Sequence, residues 1–141
     1  MRRLLLLFWF VLFTTLSNSQ DLFTKELIWT PTDSIKVTTF QDQDQIIEWS
    51  YNQLPFSSVY SKNIHVNDSK IYISIVTGCS GLPCWRIFIF KEKDELWQLI
   101  TSTDARLTEK IEIEVDNNSG KIVFNTKSRK IGELPFEILN F

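Results

Sequence analysis

Two stretches in the middle of the chain are apolar at almost every position: residues 71–76, Ile-Tyr-Ile-Ser-Ile-Val, and residues 85–90, Trp-Arg-Ile-Phe-Ile-Phe. β-branched and aromatic side chains dominate both, as suits a pleated strand. Gly78, Gly81 and Pro83 between them are turn residues. The pattern predicts an antiparallel hairpin. Side chains alternate with period two, so directly opposed Cys79 and Cys84 would set Ile75 against Phe88 and Ile73 against Phe90 on one face. Tyr72, Ser74, Val76, Trp85, Ile87 and Ile89 would form the other. A hairpin apolar on both faces is expected to lie centrally, covered on both sides. The competing expectation makes Tyr72, Trp85, Ile87 and Ile89 an exposed binding patch, but patches of that size are uncommon on monomers.

Strand-like patterns recur on either side. Residues 110–116 alternate cleanly, with Ile111, Ile113 and Val115 inward and Glu112 and Glu114 outward. Asn117, Asn118, Ser119 and Gly120 make a turn, and residues 121–125 return. Residues 96–100 read as a strand after the polar link 91–95. Leu134, Phe136 and Ile138 predict a last short strand, with Pro135 marking an edge. Upstream, residues 35–40, 57–60 and 63–66 read as strands. Residues 45–54, with Ile46, Ile47, Trp49 and Tyr51, fit a strand or a short helix equally. The expectation is one all-β domain, a small antiparallel sandwich or barrel-like fold of about eight strands. An outer-membrane barrel is disfavoured, since its strands need about 9–11 residues and one clean lipid-facing side. Pro135 and Glu137 interrupt the last strand here.

The amino terminus breaks this rhythm. Arg2 and Arg3 precede an uncharged apolar run over residues 4–16, and Ser17-Asn18-Ser19 follows. A basic start, a short apolar stretch and a small-x-small site describe a secretory signal peptide over residues 1–19. The run is shorter than the roughly 20 apolar residues that span a bilayer. The expected mature domain is residues 20–141, secreted or periplasmic, with no stable membrane insertion after cleavage. Losing Arg2 and Arg3 leaves 13 of the 15 basic residues against all 17 acidic ones. An acidic balance disfavours nucleic acid, which needs a basic patch.

Export changes the reading of the two cysteines. In an oxidising compartment Cys79 and Cys84 are expected to form a disulfide across the hairpin link. Four residues separate them, where a thioredoxin-like site has two. A structural zinc needs four nitrogen or sulfur ligands, and the chain offers two cysteines and His65.

Catalytic patterns are weak. His65 is the one histidine, no G-x-S-x-G elbow supplies a nucleophile, and His65 reads as a half-exposed structural residue. Asp42, Asp44 and Glu48 hold a fragment of a calcium-loop pattern without its glycine or its ligand number. Asp116 to Gly120 has the better bend, at a position where a hairpin turn is already expected. Glu112 and Glu114 on one strand face read as a solvated surface. Asn67-Asp68-Ser69 and Asn117-Asn118-Ser119 match the N-glycosylation pattern in expected turns. No catalytic residue, metal or cofactor is expected. The favoured expectation is a non-catalytic binding or inhibitory module for a protein or glycan, with Ser80, Leu82 and Trp85 as contacts. A rigid loop binds at lower entropic cost. The alternative is a structural or accessory cell-envelope protein with no discrete site.

Overall fold

Alternation in the chain becomes two opposed faces in the structure, a computed structural model that describes residues 27–54, 57–78, 85–105 and 109–139. Strand β1 (Thr39–Phe40) leads into helix α1 (Gln43–Tyr51). Strands β2 (Ser58–Val66), β3 (Ser69–Thr77), β4 (Trp85–Lys93) and β5 (Leu96–Ala105) then form a meander. Strands β6 (Glu112–Asp116), β7 (Lys121–Asn125) and β8 (Lys130–Pro135) form a second one. The first sheet has the order β1-β5-β4-β3-β2 and the second β6-β7-β8, all pairs antiparallel.

The hairpin β3–β4 sits inside the larger sheet and is covered on both sides. Its inner face carries Ile71, Ile73, Ile75, Trp85, Ile87 and Ile89, which pack on Ile111 before β6 and on Ile122, Phe124, Ile131 and Leu134 of the smaller sheet. Its outer face carries Tyr72, Val76, Phe88 and Phe90, which join Trp97 and Ile46 beneath α1. Edge-on ring contacts organise this outer layer: Trp49 lies 4.8 Å from Phe88, and Phe40 5.7 Å from Phe90. Between the rings, the buried hydroxyls of Ser50 and Ser74 satisfy each other at 2.8 Å.

Helix α1 is short but well ended. Asp42 caps the helix by accepting from the Gln45 amide, and the Gln45 side chain accepts from the amide of Gln41, just before the cap. At the other end the Asn52 and Gln53 side chains donate to the carbonyls of Glu48 and Trp49. One bulge sets the role of β5. Ile89 pairs with Thr101 and Phe90 with Leu99, leaving Ile100 as the extra residue. Trp97 and Leu99 therefore face α1, while Thr101, Thr103 and Ala105 lie on the inner side beside Ile89, Ile87 and Trp85.

Hydrogen bonds lace both seams between the two packed sheets. At the β2–β6 seam the Tyr60 hydroxyl accepts from the Ile111 amide at 3.1 Å and donates to its carbonyl at 3.3 Å. Lys62 donates to the Ile113 carbonyl at 2.7 Å. At the β5–β8 seam residues 27–30 run as a strap. Leu27 and Trp29 donate to the carbonyls of Ile131 and Glu133. Thr30 donates to Ser102, and Thr103 and Thr101 donate to the carbonyls of Ile28 and Thr30. Gly132 makes room for the strap: a Cβ there would lie 2.7 Å from Leu27 Cβ.

Several expectations need correction. Ile75 pairs with Ile87 and Ile73 with Ile89, not with Phe88 and Phe90. The register differs by one residue from that of directly opposed cysteines, because it must keep both isoleucine stripes in one core. No disulfide is found among the described residues, and Cys79 and Cys84 lie outside them, so the staple is not borne out. The patch of Tyr72, Trp85, Ile87 and Ile89 is buried and divided between two faces. The expected strands 57–60 and 63–66 are one strand, Ser58–Val66, and only Thr39 and Phe40 of 35–40 are strand. The last strand ends at Pro135, and Phe136–Leu139 is a 3-10 turn whose Phe136 amide donates to Gly120.

Candidate functional site

The two ends of the larger sheet differ. At one end β2–β3 and β4–β5 are joined by two-residue turns, with Asn67, Asp94 and Glu95 at positive φ as tight hairpins demand. At the other end Ser58, Thr77, Trp85 and Ala105 stand in one row across the sheet. Every longer connection of the larger sheet leaves from this row: residues 52–57 into β2, 78–84 between β3 and β4, and 106–111 into β6. The β7–β8 turn reaches the same end, where Ser128 donates to Glu109 at 3.0 Å. Long connections on a rigid scaffold are where binding functions concentrate.

Described side chains give this loop end a firm base. Arg86 Nε donates to Asp104 Oδ1 at 2.9 Å across β4 and β5, and its Nη1 reaches the Gln53 carbonyl at 3.4 Å. Tyr60 stands edge-on to Trp85 at 5.8 Å, and Lys110 Nζ lies 5.4 Å above the Tyr60 ring. Burial pushes the Tyr60 phenol up to about 12, the hydrogen bond with the Ile111 backbone pulling it back in part. At ordinary pH this hydroxyl therefore stays protonated and serves the seam as both donor and acceptor.

Of the residues expected to touch a ligand, Ser80 and Leu82 lie outside the described residues. Trp85 is buried, 8 % exposed, in the inner core at the foot of the 78–84 link. The seam residues Tyr60, Lys62 and Lys110 gave no local signal in the sequence. Their roles depend on partners about 50 positions away along the chain: Ile111 for Tyr60, Ile113 for Lys62 and the Tyr60 ring for Lys110.

The other candidates do not converge. His65 is exposed on β2, opposite Lys70 near the tight-turn end. Asp42 caps α1, and Asp116 accepts from the amides of Asn118 and Ser119 in its own turn. Ser119 chiefly, with Asn118 and Lys121 beside it, holds the Asp116 carboxyl below its usual range. Glu112 and Glu114 point outward from β6 as expected. Among the described residues no group of three or more His, Cys, Asp or Glu side chains is placed to hold a metal ion. A cleft of about 180 Å³ beside β8, lined by Leu27, Lys130, Ile131, Gly132 and Glu133, is smaller than ordinary small-molecule sites. No family model, curated protein or solved structure matches the chain.

Proposed function

We propose that this chain is an exported, non-catalytic binding module that holds a protein or glycan partner through the loop end of its larger sheet. The supporting observation is the contrast between the ends: two-residue turns at one, and the seven-residue link 78–84 beside two other long connections at the other. Ser80 and Leu82 are the proposed contacts. Trp85, seated in the core, supports the foot of the link. Cys79 and Cys84 are proposed to bond within the link in an oxidising compartment, which would limit its freedom before binding. Hydrogen bonds from Tyr60, Lys62 and the strap occupy part of the seam edges, and this weighs against an envelope protein that assembles through its edges.

Capture from envelope and culture-medium fractions tests the reading. The oxidised exported protein serves as one bait and its Ser80→Ala/Leu82→Ala variant as the other. Both should unfold at the same temperature, and a partner should be held by the first and lost from the second. Equal capture by both baits would move the site away from this loop.

A further inference from the structure

The strap over residues 27–30 is held as a sheet holds an added strand. The Leu27 amide donates to Ile131 and the Thr30 amide to Ser102, while the carbonyls of Ile28 and Thr30 accept from the hydroxyls of Thr103 and Thr101. Side chains alternate along it with period two. Leu27 and Trp29 pack on the inner core, and Ile28 is 76 % exposed. Leu27 sits over the Gly132 notch, and the Trp29 indole nitrogen donates to the Glu133 carbonyl at 2.9 Å. The β5–β8 seam is thus a groove fitted to an extended segment of this sequence, with backbone bonds for hold and room for alternate side chains.

The tether behind the strap is longer than its closure requires. Thr30 is anchored on Ser102, and Thr38 accepts from the Leu99 amide before Thr39 and Phe40 continue along β5. Three residues of β5 separate these anchors, a gap of about 10 Å. Residues 31–37 between them would reach roughly 25 Å when extended. They fold instead into an outward loop with a 3-10 turn at Thr32–Ser34. Its hydrogen bonds are local: Ser34 and Ile35 donate to the carbonyls of Pro31 and Thr32, and the Thr38 hydroxyl donates to the Lys36 carbonyl. Among the described residues, only Thr38 at its end bonds to this loop from outside. Val37 in the loop is 71 % exposed, and with Ile28 it is one of the two most exposed large apolar side chains described.

From the fitted groove and the slack tether we infer that the strap is exchangeable: two copies of this chain close each other's β5–β8 seam, each supplying residues 27–30 to its partner. Every bond of the seam is kept in the exchanged pair, because groove and segment are identical in both copies. Only residues 31–37 change, opening from a loop into a link between the copies. These links are the new contact, and they carry Val37 with Ile28 close by, apolar surface that a single chain leaves in water. A short tether gives the strap an effective concentration in the millimolar range within its own chain, so single chains prevail at micromolar protein. Exchange therefore answers to tether length and to protein concentration. It uses neither Ser80 nor Leu82, the proposed loop contacts.

Deleting residues 31–37 from the exported protein tests the exchange. Thr30 then joins Thr38 across about 4 Å, against a gap of about 10 Å, so no strap can close its own seam. By light scattering at micromolar protein, the dimer fraction should rise about ten-fold or more over the parent. Gly132→Ala closes the notch for Leu27 in either copy and should reverse most of that rise. A deletion variant that stays monomeric would overturn the exchange, whether its strap is closed or detached. So would a dimer indifferent to Gly132→Ala, since its contact would not be the strap. The parent chain provides a check that does not depend on the deletion variant folding. Refolded from urea at about 1 mM, near the effective concentration set by the tether, it should yield a dimer fraction that returns to monomer after dilution. Refolding to monomer alone at that concentration would also overturn the exchange.

Discussion

Two buried hydroxyl environments in the outer layer show how narrowly polar atoms are tolerated there. Ser50 and Ser74 are wholly buried but pair at 2.8 Å, so each desolvated oxygen has a partner. Among the described residues, the Tyr72 hydroxyl, on a side chain 1 % exposed, has no hydrogen-bond partner. Burial raises its phenol above the usual range. A nearby Ser61 hydroxyl pulls the other way, without the geometry of a hydrogen bond, and the Asp44 carboxylate adds to the rise. An unsatisfied buried hydroxyl costs about 1–3 kcal/mol. The Tyr72 ring earns its place by contacts with Trp97 at 6.0 Å and Phe90 at 6.3 Å, and phenylalanine would keep both. Tyr72→Phe is therefore expected to raise stability in urea by about 1 kcal/mol. A loss of similar size would mean that the hydroxyl has a partner in solution, such as an ordered water.

Among the elements, the strap over residues 27–30 is the most exposed to a single substitution. It joins β5 to β8 through main-chain and side-chain hydrogen bonds, and the Trp29 ring packs 5.2 Å from Phe124. All of this depends on the notch at Gly132. In Gly132→Ala the new methyl would meet Leu27 Cβ at 2.7 Å, so the strap must shift or detach. The expected cost is about 1–3 kcal/mol, the range for overpacking a core. Amide exchange should quicken at Leu27 and Thr30 while β3 stays protected. Uniform loss of protection would show instead that the strap is not a separable element. This seam also marks how far the sequence can be read. Strands β3, β4 and β6 were legible, β6 by its period-two stripe and β3 and β4 as continuous apolar runs whose two faces are both covered. The pairing of β3 with β4 was not, since a one-residue slip leaves each strand's pattern intact and only the shared core decides between registers. Helix α1 was ambiguous because nine residues are too few to separate a period of 3.6 from one of 2. For the candidate site, the sequence pointed to the 78–84 link through its glycines, proline and cysteines. It placed Trp85 at a surface because local pattern cannot show that the second sheet covers that face.

At the scale of the whole molecule, strands β3 and β4 serve two cores at once. Ile73, Ile75, Ile87 and Ile89 belong to the inner core, and Tyr72, Val76, Phe88 and Phe90 to the outer. Neither core can lose these strands without opening the other. The laced seams add to this coupling by tying the smaller sheet and the strap to the edges of the larger. Small domains with one continuous contact network usually unfold in a single step. The tryptophans offer a direct check, since Trp85 and Trp29 report on the inner core and Trp97 and Trp49 on the outer. Variants keeping one reporter from each core, the other tryptophans replaced by phenylalanine, are expected to show coincident urea transitions by fluorescence. Backbone circular dichroism should follow the same curve. An earlier transition at Trp49 or Trp97 would mean that α1 and β1 peel away before the two sheets part. The aromatic layer would then be an independent cover, and the description of two cores held by shared strands would fail.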